Sequence, residues 1–429
     1  MRNAAFLLLF VASPALGQDK DEPGKDDDFF GEDTPAEPKD EIKPESDKLQ
    51  LGGMLYLRSN WSFTDSDDPA DWPISLPNLV DVYLDAQPTD RVRGFVRGRL
   101  AWTPSVDSED TSVASLVGNG GSDGTDVLLD ELWLRFDIAR AVFVTVGQQH
   151  VRWGASRIWN PVDVLNTVRR NSLEPFDVRT GIPILKLHVP VESLGWNFYA
   201  IGTMDRVNTI EKAGVAGRAE FVLGTAEVGL TAAGRDGVDP KVGFDLSAGV
   251  WDLDVTSEVG VTIPEDSDEG DPVVQVTGGV SYQWKYSDKD SMYLGAEYFY
   301  NQAGASSFNR DVFTNPLFTG ESQFLYAGRH YVAGFVSLPA PGSLDLWTFT
   351  LSSLGNLSDR SALTRLDVSF TALTYLSVQM YAAVHYGKGG ELHLGGDAFD
   401  AIAGAPDDLN PAKYPNQLVD VGLSLRIDL

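Results

Sequence analysis

From Leu49 onward the side chains alternate in character with a period of two. Leu49, Leu51, Gly53, Leu55, Leu57, Ser59, Trp61 and Phe63 share one face, and Gln50, Gly52, Met54, Tyr56, Arg58, Asn60 and Ser62 share the other. That period over fifteen residues describes a strand with one apolar and one wet face. The length of the run constrains the fold further. Strands of soluble proteins run about 5–6 residues, whereas a tilted strand that crosses a bilayer needs about 9–11.

The pattern recurs to the last residue. Val92, Gly94, Val96, Gly98, Leu100 and Trp102 alternate with Arg91, Arg93, Phe95, Arg97 and Arg99, and Val419 to Leu429 alternates in the same way. Eighteen segments follow this rule: 49–64, 78–86, 91–103, 126–138, 141–151, 181–192, 194–203, 213–224, 225–234, 241–250, 254–263, 273–286, 291–301, 328–338, 344–352, 361–370, 374–386 and 416–429. Connections after even-numbered segments are short, such as Ala139-Arg140 and Gly224-Thr225. Those after odd-numbered segments are longer and polar: 65–77, 104–125, 152–180, 204–212, 302–327 and 387–415. Tight turns at one end and long loops at the other are the asymmetry of outer-membrane barrels. The reading is therefore all-β, a transmembrane antiparallel β-barrel of about eighteen strands, with sixteen as the alternative count. Lipid offers no hydrogen-bond partner to an open sheet edge, so the sheet must close. A soluble sandwich would alternate too, but without such long strands or this loop rhythm.

The rest of the chain fits a secreted barrel. Arg2, the short apolar run Ala4–Ala12, Pro14 and Ala15-Leu16-Gly17 read as a signal peptide over 1–17. No cysteine occurs, which removes disulfides, zinc thiolates and a thiol nucleophile. No later stretch supplies about 18 consecutive apolar residues. The formal net charge of -29 argues against a nucleic-acid partner. Residues 18–48 hold thirteen Asp and Glu against five Lys, with four Pro, and read as an acidic disordered periplasmic leader. Phe29 and Phe30 stand in its acidic run as a docking peptide for a periplasmic partner, against the plainer reading of a solvated tail. The barrel then occupies 49–429, with both termini periplasmic. Its expected surroundings are outer-membrane lipid and lipopolysaccharide, and its expected handler is the barrel-assembly machinery. Trp61, Phe63, Trp102, Tyr282, Trp284, Tyr298 and Tyr386 fall near the ends of the apolar rows, where interfacial aromatic girdles sit.

The wet faces carry charge. Arg93, Arg97 and Arg99 point to one side of one strand, and Arg135, Lys186 and Arg218 extend the row. Such a row favours anions. Inward acids are also available: Glu131, Glu220, Glu227, Glu258 and Glu297. An internal salt-bridge lattice is thus the competing reading.

The most distinctive segment is Gly147-Gln148-Gln149-His150-Val151-Arg152-Trp153-Gly154, followed by Asn160-Pro161-Val162-Asp163-Val164-Leu165-Asn166 and Arg179-Thr180-Gly181. It resembles a family of Gram-negative outer-membrane porin-like barrels with a G-[KR]-Q-x-x-x-W-G run and an N-P-x-D-x-x-N turn. Gln148 stands where the family has a basic residue. The match covers Gly147 to Gly181, and it implies a barrel and passive transport. The connection 152–180 carries Arg152, Trp153, Arg157, Asn160, Asp163, Arg169 and Arg170 and is the expected constriction loop. Packing on the barrel rim is its alternative. Asn160 and Asp163 are natural turn formers around Pro161.

No enzyme is expected, and no cofactor or metal. His150, His188, His330, His385 and His393 form no H-x-x-x-H pair. The acidic run Glu265–Asp271 lacks the spacing of an EF-hand and its closing Glu, and reads as loop solubility. The leading expectation is a porin-like channel for small polar or anionic solutes. The alternative is a non-transporting scaffold barrel in an envelope machine for surface-polymer export, adhesion or motility.

Overall fold

The computed structural model describes residues 48–66, 68–104, 124–166, 168–205, 209–264, 271–307, 325–395 and 415–429. The signal and leader assignments, with Phe29 and Phe30, lie outside these residues. So does most of the acidic run 265–271.

One antiparallel sheet contains all the strands. They are β1 (Leu49–Thr64), β2 (Ile74–Ser75), β3 (Asn78–Thr89), β4 (Val92–Thr103), β5 (Gly124–Ile138), β6 (Val142–Gln149), β7 (Ile182–Val191), β8 (Trp196–Thr203), β9 (Gly214–Leu223) and β10 (Ala226–Arg235). The second half comprises β11 (Val238–Val250), β12 (Leu253–Thr262), β13 (Val273–Lys285), β14 (Ser291–Asn301), β15 (His330–Pro339), β16 (Trp347–Asn356), β17 (Ser361–Leu373), β18 (Leu376–Gly387) and β19 (Gln417–Asp428). The two-residue β2 only clips onto β1 at Asn60 and Trp61. The other eighteen strands form the wall. β19 pairs with β1 from Met54↔Asp428 to Thr64↔Gln417, so the sheet closes on itself and leaves no edge. The eighteen segments read from the sequence correspond one to one with these strands.

The molecule is inside-out. On β9 Ala216, Arg218 and Glu220 are buried, while Val215 is 65% and Leu223 57% exposed. On β4 Phe95 and Arg99 face inward and Leu100 and Trp102 outward. Exposed Trp102, Tyr282, Trp284, Tyr298 and Tyr386 belong to the outer face near strand ends. The side that water would normally meet is apolar, and the side that packs inward is polar. That is the polarity of a barrel solvated by lipid.

Both chain ends of the barrel, Leu49 and Asp428, lie at the end with the short turns. The turn Ala139-Arg140 has positive φ at both residues (57° and 55°), the backbone of a two-residue hairpin. The opposite end carries the long connections, with two exceptions. Asp236-Gly237 and 357–360 are tight hairpins there, the first aided by Gly237 at φ 69°. An Asp-Gly pair supplies the turn a two-residue hairpin needs, so no excursion follows.

The long-loop end is pinned by a buried carboxylate. Glu391 accepts the Leu325 N–H (2.7 Å), the Tyr331 hydroxyl (2.5 Å) and the Asn356 amide (3.0 Å). Asp359 accepts the Glu391 N–H at 2.8 Å. Burial pushes the Glu391 carboxyl up to about 7 and raises Asp359 as well.

Candidate functional site: a loop drawn through the lumen

Residues 150–181 leave β6 and return at β7, and in between they cross the barrel interior. The crossing segment is a folded unit. Asp163 N–H donates to the Asn160 carbonyl (3.2 Å), closing the turn around Pro161. The Asn166 amide donates to Asp163 (2.8 Å) and to the Val151 carbonyl (2.6 Å). Three arginines then staple the backbone. Arg152 donates to the Ser156 carbonyl (2.6 Å), Arg169 to the carbonyls of Asn160 (3.0 Å) and Asp163 (2.9 Å), and Arg179 to that of Val168 (2.9 Å). Arg179 also pairs with Asp177 at 2.6 Å. Burial works to raise the Asp177 carboxyl, and Arg179 overrides it, holding it down at about 2. The conspicuous motif residues therefore build the loop itself.

Anchors on the wall fix where the unit sits. Glu297 of β14 accepts backbone N–H groups from Arg157 (3.0 Å), Ile158 (3.2 Å) and Trp159 (2.9 Å). Glu258 of β12 accepts those of Ser156 (2.6 Å) and Val162 (3.3 Å), and the Asn160 amide (3.2 Å). A loop's unpaired N–H groups cost free energy when buried, and two inward carboxylates satisfy five of them here. Gly154, at φ 107°, passes so close to Glu258 that a Cβ would stand 2.5 Å from its Oε1. On β12 itself, a Cβ at Gly260 would meet the Pro161 carbonyl at 2.6 Å. Both glycines let the loop lie on the wall.

Apolar contacts complete the crossing. Trp159 is fully buried, stacks on Phe299 with centroids 5.5 Å apart, and donates its indole N–H to the Leu325 carbonyl (2.9 Å). It joins a cluster with Tyr326, Tyr331, Leu354, Leu363 and Leu392. Trp153 is buried at the other end, against Val151, Leu165, Ile184 and Ile201 near β7 and β8. Glu174 pairs with Arg58 of β1, and Phe176 meets Tyr56 edge-on at 4.9 Å. The loop thus touches β7–β8, β12, β14–β18 and β1. It folds inward and does not rest on the rim. Arg157 lies over the Phe335 ring, 4.3 Å from its centroid, and burial pulls its guanidinium down to about 10, with Glu297 opposing. Arg170 remains half-buried in the same stretch.

The arginine row faces the lumen as a lattice. Arg93 pairs with Asp85 (2.7 Å), Arg97 with Glu131 (3.3 Å) and Asp130 (3.6 Å), and Arg99 with Asp81 (2.8 Å) and Asp130 (3.1 Å). Arg218 bridges Glu220 and Asp245, each at 2.6 Å. Six carboxylates meet four guanidiniums, so this wall carries no net positive field. Arg135 packs by Trp133 (5.3 Å), and Lys186 is buried on the same face. Reading the sequence missed Asp81, Asp85, Asp130 and Asp245. The first two and Asp245 share the parity of inward residues and were findable. Asp130 was not, because it is the extra residue of a β-bulge: Arg97 pairs with Glu131 and Gly98 with Leu129. The bulge turns two successive acids inward. Together with His150, whose Nε2 lies 3.0 Å from Asp130, they form the one His/Asp/Glu group among the described residues compact enough for a metal ion. Arg97 and Arg99 already neutralise that group.

No protein-family model matches the chain, and no curated protein matches it in sequence. Solved structures do match in fold. The BenF-like porin from Pseudomonas fluorescens Pf-5 aligns with a TM-score of 0.55 at 12% identity, over 89% of this chain and 98% of that one. OccK11 (OpdR) from Pseudomonas aeruginosa aligns with a TM-score of 0.52 at 9% identity, over 89% and 96%. Wzi from Escherichia coli, an outer-membrane carbohydrate-binding barrel involved in group 1 capsule assembly, gives 0.52 at 11% identity, over 89% and 84%. The chain has the fold of outer-membrane porin barrels.

Proposed function

We propose that the protein is an outer-membrane channel of porin type, which passes small polar solutes by diffusion through its lumen. The loop 150–181 constricts the path. The observation that carries this reading is the inward loop, clamped between the charged wall and Glu258, Glu297 and Phe299 opposite, inside a barrel whose outer face suits lipid. In this reading the half-buried Arg93, Arg97 and Arg135 line the pore, the buried Arg99, Lys186, Arg218, Glu131 and Glu220 brace the wall behind them, and Arg152, Trp153, Arg157, Asn160, Asp163, Arg169 and Arg170 shape its narrowing. Both termini at the short-turn end then face the periplasm. The likeness to porin structures and the G-x-Q-x-x-x-W-G and N-P-x-D-x-x-N motifs support it. Stable single-channel steps in planar bilayers of the purified full chain are the expected result. A folded barrel that conducts nothing would overturn the proposal.

The alternative is a non-transporting scaffold barrel, favoured by how completely Trp159 and Val162 are buried. Deleting residues 18–48 separates the two. Loss of a co-purifying periplasmic partner, with a barrel that never conducts, supports the scaffold.

A further inference from the structure

The two sides of the lumen differ in chemistry, and the difference points to a solute class. Along β13 to β18 one cross-strand row runs from strand to strand on the inner face: Gln283, Tyr293, Ser337, Thr350, Asp367 and Tyr381. Each is the direct partner of the next in register. Its groups are mostly neutral and both donate and accept. Gln283 donates to the Tyr293 hydroxyl (3.0 Å), the Ser337 and Thr350 hydroxyls lie 2.9 Å apart, and Tyr381 donates to Asn60 of β1 (3.0 Å). The single acid, Asp367, is held by Arg365 at 2.6 Å. All but Ser337 are half-exposed. Apart from Tyr381, which packs against the Trp159 cluster, the row lies on the short-turn side of the constriction, because the loop touches the wall farther out, where Ile158 and Leu173 meet Ala333 and Leu354.

A solute passing this row must exchange hydration for hydroxyl and amide contacts. A polyol makes that exchange at little cost, since each of its hydroxyls both donates and accepts, as the row does. An anion of equal size finds only Arg365 and Arg58 beside the row, and both are already matched, by Asp367 and Glu174. The arginines across the lumen supply no compensating charge, being matched by carboxylates. An ion without such a partner keeps its desolvation penalty.

We infer that this row is the solute-facing rail of the channel, and that it favours neutral polyhydroxylated solutes of the sugar and sugar-alcohol class over anions of the same size. The inference rests on the channel reading. Sorbitol and gluconate test it, being six-carbon chains that differ by one carboxylate. Liposomes holding the full chain are shrunk in each solute, with valinomycin present so that potassium entry does not limit the gluconate salt. Sorbitol swelling several times faster than gluconate is expected. In the double variant Ser337→Ala, Thr350→Val that ratio falls toward one, and Tyr293→Phe, which removes only a hydroxyl, lowers it less. Gluconate entering as fast as sorbitol, or a ratio unmoved in the double variant, would overturn the rail. Absence of both swelling and salt conductance, with the barrel folded by its heat-modifiable migration, would overturn the channel reading and the rail with it.

Discussion

The wall from β3 to β11 and the wall from β13 to β18 enclose the same lumen with different chemistry. The first is bound by buried guanidinium–carboxylate pairs; the second carries a row of hydroxyls and amides with one acid held by Arg365, and farther out Glu297, which the loop's N–H groups take up. The comparison teaches what each wall is suited to. Buried ion pairs are costly to break, and they fix geometry more than they add net stability. Hydroxyl rows are cheap to rearrange and remain available to a solute. The loop bridges the two, stapled by its own arginines and hung from Glu258 and Glu297.

The sharpest way to break this contrast is Arg218→Met. It leaves Glu220 and Asp245 buried together with no cation between them. A loss of about 3–5 kcal/mol is expected, read as a shifted urea midpoint for barrel folding into vesicles. Replacing all three residues by apolar ones of similar volume should recover most of it. A shift below about 1 kcal/mol, the range of exposed pairs, would mean the lattice does not brace this wall.

Glu297→Ala tests the bridge. Three backbone N–H groups lose their acceptor. At about 1–3 kcal/mol for each buried group left unpaired, part of which water recovers, the loop should detach from β14. Single-channel conductance should rise several-fold with added noise, while the urea midpoint moves less than for Arg218→Met. Unchanged conductance would place the conducting path elsewhere.

The pin at the long-loop end responds to pH. The Glu391 carboxyl is raised from its ordinary 4.5 to about 7, so the folded state holds the proton more tightly than an unfolded chain does. Stability from this group is therefore greatest below about 4.5 and falls as pH rises through about 7. Amide exchange at Glu391 and Leu392, corrected for the intrinsic rate, should lose at least about tenfold in protection between pH 5 and pH 8, since the shift exceeds one unit. Glu391→Gln should flatten that profile, and a flat profile in the native chain would remove the group from the account.

The smallest effect belongs to the hydroxyl wall. Thr350→Val removes one hydrogen bond to a hydroxyl that water can replace. A cost of under about 1 kcal/mol is expected in the same urea titration. A loss comparable to Arg218→Met would erase the distinction between the walls.

Much of the fold is legible in the amino-acid sequence alone. The strand segments, the face each side chain takes outside the bulge at Asp130, and the long connection 152–180 follow from a period of two and from connection length, whereas the turn of that connection into the lumen does not. The roles of particular residues are less visible. Glu258 and Glu297 have inward parity, but their partners are backbone N–H groups more than 90 and 130 residues away in the chain. No local pattern encodes such a pairing. Arg152 and Arg169 read as residues of a constriction, and they spend their donors on the loop's own carbonyls. The bulge at Asp130 reverses the parity rule at a single residue, and a two-residue period cannot announce its own interruption.

The sequence by itself determined that this chain makes long two-faced strands, because alternation is a local property of an extended backbone. It also determined that the sheet must close, because an apolar outer face implies lipid and lipid satisfies no edge. Only the tertiary structure decided how the inward charges are spent. Closure brings distant strands and one loop within hydrogen-bonding reach, and at that range a carboxylate binds whichever donor arrives buried and unpaired. Thus the arginine row, cationic when read along one strand, became a neutralised lattice once its neighbours were in place, and the polar rail opposite it came into view.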